Sequence, residues 1–212
     1  MTLDPRFAAY VAVMAVLIVT PGPDTALVTR NALRSGRRAA SLTTLGIGAG
    51  SLVWAVASVL GVAVLLERSV VAFTVFKLAG AAYLAYLGLR SLVGSVRAGR
   101  PATGTTPPPE RRPLGDRAAL RQGLLGNLLN PKAGAIFATV VPQFISPGDG
   151  PARFALMLLA YECILLGWLH VYGYLVSRAG QTRAGARVRQ ALEGVTGLIL
   201  VGLGVRLALE RR

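Results

Sequence analysis

Acidic residues are scarce in this chain: nine among 212, against 23 lysines and arginines, and charged residues of both signs make up only 15%. A soluble domain of this size carries about 25%, so the composition points to a lipid environment. Cysteine occurs once, at Cys163, which excludes an intramolecular disulfide and any cysteine metal cage. Placed within an apolar block, Cys163 reads as a small buried side chain. Histidine also occurs once, at His170. With no Ser/His/Asp spacing, no HExxH, no phosphate-binding loop and no ATPase motif, the chain reads as neither an enzyme nor an ATP-driven pump on its own. No metal or cofactor is expected. The formal charge of +14 does not indicate nucleic acid, because the arginines sit in short connections between apolar blocks, where they set orientation in a bilayer.

What the chain does have is long apolar runs. Ala39 to Leu66 is 28 residues without a charge, more than the roughly 20 that cross a hydrocarbon core. Six apolar blocks follow one another: 6–33, 39–66, 70–93, 119–145, 153–177 and 189–209. No small-residue cleavage site follows the first run, so it reads as a retained helix rather than a signal peptide. The expected fold is an all-α polytopic membrane protein, one domain over 1–212, with six spans as two inverted three-helix repeats (1–93 and 119–212). Between them, 94–118 includes "RPATGTTPPPERRPLG", too rich in Pro, Gly, Thr and Arg to bury a core, and reads as a flexible linker. Fifteen arginines fall after blocks one, three and five, and six on the opposite side. The positive-inside rule then puts the linker in the cytoplasm and both termini outside.

Two blocks carry matching interruptions. In "TPGPD", residues 20–24, Thr20 and Gly22 each precede a proline and are pushed out of helical geometry. Gly22 is the expected N-cap, Pro23 opens a new half-helix, and Asp24 lies in its first turn, where the helix dipole favours an acid. In "NPK" Asn130 caps, Pro131 opens and Lys132 follows. Pro23 and Pro131 are 108 residues apart, and proline-broken segments at corresponding places in two halves point to a transporter's binding site. Backbone groups freed at such a break must face protein, water or substrate. Asp24 and Lys132 suit a zwitterion's ammonium and carboxylate; alternatively they pair with each other and one exchanges protons.

Other ionisable residues within apolar blocks are pathway candidates by default. Lys77 either snorkels to the outer surface or joins the pathway. Glu162 and His170, about 12 Å apart along one helix, reach the same cavity but not each other; His170 reads as a proton relay or as a buried histidine with one hydrogen-bond partner. Tyr161, Trp168 and Tyr172 form a packing or interface stripe. Gly80, Ala81, Ala85 and Gly88, and likewise Gly194, Gly197, Gly202 and Gly204, provide small-residue faces for close helix contact.

The motifs "TPGPD" (20–24), "KLAGAAYLAYLG" (77–88), "GLLGNLLNPKA" (123–133), "PQF" (142–144) and "GLILVGLGVRLAL" (197–209) together resemble the lysine exporter/homoserine–threonine exporter (LysE/RhtB) family over nearly the whole chain. The resemblance implies six helices in the bacterial cytoplasmic membrane and efflux of amino acids or their derivatives, driven by protons. Carried over by position, its motif residues are Pro21, Gly22, Pro23 and Asp24, then Lys77, then Asn127, Asn130, Pro131 and Lys132, then Gln143. Glu162 and His170 have no counterpart in it. Export of an inorganic cation, an intramembrane enzyme and a non-transporting structural membrane protein are the alternatives. A homodimer joined through small-residue faces is a further possible arrangement.

Overall fold

The computed structural model describes residues 4–61, 69–99, 113–145, 148–180 and 185–209, and the side chains of a few helical residues, Lys77 among them, lie outside that description. The described residues are helical throughout, without strands. Helix α1 (Pro5–Val19) is followed by α2 (Pro23–Val59), α3 (Val70–Gly99) and α4 (Asp116–Leu128). The short α5 (Pro131–Ala135) runs on through a π-helical turn at Ile136–Val140 and a 3-10 turn at Val141–Phe144. Helices α6 (Pro151–Ala179) and α7 (Gly185–Leu209) complete the chain.

Both breaks lie where proline chemistry puts them. Thr20 (φ −59°, ψ 120°) and Gly22 (φ −165°, ψ −167°) are extended, so α1 ends and α2 starts at Pro23. The second break turns the chain by 52° between α4 and Pro131–Phe144. No loop separates the first two apolar blocks: α2 runs through both, kinked at Gly36, whose φ of 76° lies in the left-handed region that glycine adopts without steric cost. Helix α3 continues to Gly99 and α4 begins at Asp116, so the part of 94–118 outside the described residues is 100–112.

Helix α2 is the centre of the molecule. On one side it meets α6 and the segment from α5 into the π-helical turn, in a cluster that includes Val28, Ile136, Phe137 and Leu165 and that Tyr10 and Met14 of α1 join against α6. On the other, Ala26 and Leu27 pack on Ala81, Leu84 and Leu87 of α3 and Leu200 of α7. Helices α2 and α4 approach until backbone meets backbone: a Cβ on Gly46 would stand 2.1 Å from the Leu120 carbonyl, and one on Gly123 2.1 Å from that of Thr43. Small residues at such crossings are how helices associate where the hydrophobic effect gives little help.

Polarity is distributed inside out. Thr25, Arg30, Asn31, Thr43, Thr44, Ser51, Ser91, Asn127 and Asn130 are buried, whereas Val16, Val56, Leu60, Val71, Leu159, Leu198 and Leu209 stand exposed. An extensive apolar exterior over a polar interior is costly in water and favourable in lipid. By length and composition α2 and α6 are each able to cross a membrane, and the bent α4–α5 pair makes a third such span. α1 is a shorter apolar helix, as are the stretches Leu78–Val93 and Gly194–Leu203.

Candidate functional site

The two breaks, remote in sequence, meet in space and line one cavity. Its wall includes Thr20, Gly22, Pro23, Asp24 and Thr25 from the first break, and Asn130, Lys132 and Ala133 from the second. Leu17 and Ile18 of α1, Ile136, and Tyr161, Leu165 and Leu169 of α6 close it. Its volume is about 30 Å³, room for a water or two rather than for an amino acid.

The contacts across the cavity are reciprocal. Lys132 Nζ donates to the Thr20 carbonyl at 2.8 Å, a group left without a helical partner where α1 stops. The ammonium therefore sits at the negative end of α1's dipole. In the other direction, Asn127 Nδ2 donates to Asp24 Oδ2 at 3.0 Å. The charge that follows each break thus reaches a residue three or four positions before the helix-opening proline of the other segment, Pro23 or Pro131.

No ion pair joins Asp24 to Lys132 among the described residues; each charge is held by a neutral group. Asp24 Oδ1 and Asn127 Oδ1 are buried without a hydrogen-bond partner. The two helix starts also differ. Asn130 Oδ1 accepts from the Lys132 backbone N–H at 3.0 Å and closes the start of α5. Gly22 provides no side-chain cap, so the first turn of α2 keeps donors to spare. Trp54 Nε1 donates to the Asn127 carbonyl at 3.2 Å, which fixes the end of α4 beside Asp24.

The remaining candidates lie elsewhere. Pro21, Pro131 and Asn127 flank the cavity without lining it. Gln143 is exposed and bonds the Thr139 carbonyl at 2.7 Å. Lys77 lies in α3, with its side chain outside the described residues. Neither Glu162 nor His170 lines this cavity. Glu162 faces α2, where the Ser51 hydroxyl contacts Oε1; that hydroxyl also lies 2.8 Å from the Gly48 carbonyl. His170, half-buried, bonds the Leu166 carbonyl through Nδ1 at 2.8 Å. Cys163 is exposed rather than buried, because two residues of helix turn it about 200° away from the buried Tyr161 and Leu165. Tyr161 does more than pack: it lines the cavity and meets Phe137 edge-on at 5.0 Å.

Sequence reasoning missed Arg30 altogether. It counts among the connection arginines, yet it is 2% exposed in the structure. Its only sequence signal is its position, inside the apolar run that resumes at Thr25.

Comparison with known proteins agrees with this architecture. The family model described as LysE type translocator matches residues 15–211. The Bacillus subtilis "Uncharacterized membrane protein YrhP" is 33% identical over 95% of this chain and 98% of its own length. "Threonine efflux protein" of Salmonella typhi is 31% identical, and that of Escherichia coli K12 29%, each over 97% of this chain and 98% of its own length. No solved structure matches the chain. The chain belongs to the LysE type translocator family.

Proposed function

We propose that the protein is a secondary exporter of amino acids or their close derivatives in the bacterial cytoplasmic membrane, driven by the proton gradient. The observation that carries this reading is the joining of two proline breaks around one small polar cavity, in a chain similar to threonine efflux proteins. Asp24, with one buried oxygen still without a donor, receives the substrate ammonium. Lys132, which spends one of its three donors on Thr20, receives the carboxylate. Gly22, Pro21 and Pro23 keep the first break open, and Asn127, Asn130 and Pro131 shape the second. Because the cavity has room for a water or two, the described state is contracted and substrate enters only as α1 or α5 moves apart from α6.

The architecture belonging to this reading is six spans in two inverted repeats, 1–93 and 119–212, with α1 and the first part of α2 as one broken span and α4–α5 as its counterpart. Two reciprocities support it. One is the crossed pair Lys132–Thr20 and Asn127–Asp24. The other is at α3 and α7, where a Cβ on Gly88 would meet Val201 and the Gly197 carbonyl, and one on Gly197 would meet Leu92 and the Gly88 carbonyl. Gly88 against the residue four beyond Gly197, and Gly197 against the residue four beyond Gly88, is the pattern of an antiparallel crossing on a two-fold axis. The arginine asymmetry supports a cytoplasmic 94–118 segment and outward termini. Glu162 is the candidate proton carrier, because it is an acid within the apolar α6 that meets the Ser51 hydroxyl of α2. Lys77, Gln143 and His170 remain pathway candidates by position.

Cells that overproduce the chain are expected to excrete, and to tolerate, at least one amino acid such as threonine, and Lys132→Ala at equal membrane abundance is expected to abolish this. Unchanged excretion in that variant would remove Lys132 from the site.

A further inference from the structure

Arg30 is buried where two helices cross a third, and its environment is unusual for a guanidinium. Its Nε donates to Ser91 Oγ at 3.0 Å. Its Nη1 donates to Asn31 Oδ1 at 3.1 Å and to Gln122 Oε1 at 3.1 Å. Asn31 in turn donates to Thr43 Oγ1 at 2.8 Å and to Gln122 Oε1 at 3.2 Å. One polar layer therefore ties both arms of α2 to α3 and α4, and every partner in it is neutral. Buried cations are ordinarily paired with an acid. Here no carboxylate reaches Arg30 among the described residues, Nη2 has no hydrogen-bond partner there, and the nearest charges, Arg34 and Arg90, repel it. The remaining charged donor, Nη2, suits a carboxylate oxygen.

The layer is a second rung between the helices that carry the first. Asn127 of α4 holds Asp24 of α2, and Gln122, five residues earlier in α4, holds Arg30, six residues later in α2. Six residues of helix are about 9 Å, too far for one α-amino acid to bridge Asp24 and Arg30. The two are separate stops along α2.

We propose that Arg30 is a carboxylate-binding station on the cytoplasmic approach to the chamber, where an arriving substrate's carboxylate accepts from Nη2 before the molecule moves on to Asp24 and Lys132. The proposal rests on the export reading above. Its neutral partners keep the guanidinium aimed without quenching its charge, and Arg34 and Arg90 add to the field that draws an anion in.

The test uses the full-length protein in liposomes with Cys163→Ser, so that Ser91→Cys places a single thiol beside Arg30. Its reaction rates with the anionic sulfonatoethyl and the cationic trimethylammonioethyl methanethiosulfonates are compared. With Arg30 intact the anionic reagent is expected to react at least about tenfold faster, and L-threonine is expected to slow it. Arg30→Gln is expected to remove most of that preference and the protection. Equal rates for both reagents, no reaction with either, or no protection by L-threonine with Arg30 intact would overturn the proposal. The protection measurement needs no Arg30 variant and decides the matter if Arg30→Gln does not fold. An anion preference and threonine protection in a protein that moves none of a panel of amino acids would leave the station standing and sink the export reading instead; threonine transport without the preference would do the reverse.

Discussion

The two proline breaks share a register but not a chemistry. After the first, the helix begins on a glycine with no capping side chain, and the acid behind it keeps one buried oxygen without a donor. After the second, Asn130 closes the helix start, and the following cation gives one of its three donors to the end of α1. The first break is chemically open and the second is partly closed upon its neighbours. In a pocket built from both, the first break offers a ligand the buried acceptor of Asp24, and the second holds the pocket in shape while Lys132 keeps donors for a carboxylate.

That contrast orders the expected effects of substitution. Asp24→Asn keeps the shape and the Asn127 contact but removes the charge. Loss of a buried hydrogen-bonded charge costs about 2–5 kcal/mol, so export at matched abundance is expected to fall by about thirtyfold or more, with an unchanged gel-filtration profile. Asn127→Leu comes next: it strips the buried Asp24 of the donor on Oδ2, a penalty of about 1–3 kcal/mol, read as a lowered melting temperature together with reduced export. Asn130→Ala removes a helix cap, worth about 1 kcal/mol, and a neutral side chain that lines the cavity beside Asp24; it is expected to lower the melting temperature by about 2–4 °C and to reduce export less than Asp24→Asn does. Gly22→Ala should do least, since Gly22 is extended and a Cβ there would lie 3.7 Å from the Lys132 side chain, an ordinary contact. If Asn130→Ala proved more damaging to export than Asp24→Asn, the assignment of open and closed halves would be reversed.

Outside the spans, one contact carries a pH signature. Asp4 caps α1 through the Arg6 backbone N–H at 3.0 Å and meets Arg153 at 2.7 Å. The Arg6 hydrogen bond first, and then the Arg153 charge, hold its carboxyl below its ordinary value of 3.8. A carboxyl lowered by folding contributes stability above the unfolded value and loses it as pH falls through the folded one. The α1–α6 contact is therefore expected to be indifferent to pH from neutrality to about 5 and to weaken only below about 4. Asp4→Asn should make thermal stability insensitive to that acid step.

Both breaks were legible in the residues because proline acts locally: Thr20, Gly22 and Asn130 precede prolines, and their extended backbone follows from sterics alone. The caps were legible for the same reason. What spacing does not encode is which residue crosses to which helix. Arg30 reads like Arg34, Arg37 and Arg38 in sequence, and only the packing of Ser91 and Gln122 around it distinguishes a buried cation from a loop cation. Glu162 and His170 stand out in sequence because acid and imidazole are rare in apolar helices, but spacing does not say that Glu162 turns toward α2, beside Leu166 against Gly48, while Tyr161, Leu165 and Leu169 line the cavity. The missing loop between the first two blocks has an equally local cause, since one glycine with positive φ makes the bend that a loop would otherwise make.

The central claim is that the joined breaks form a transport site whose open half is Asp24. Purified protein in liposomes, given L-threonine with and without an imposed pH gradient, tests it most directly. The wild-type chain is expected to move threonine, faster with the gradient, and Asp24→Asn to move almost none under either condition. Equal threonine movement by wild type and Asp24→Asn would contradict the account.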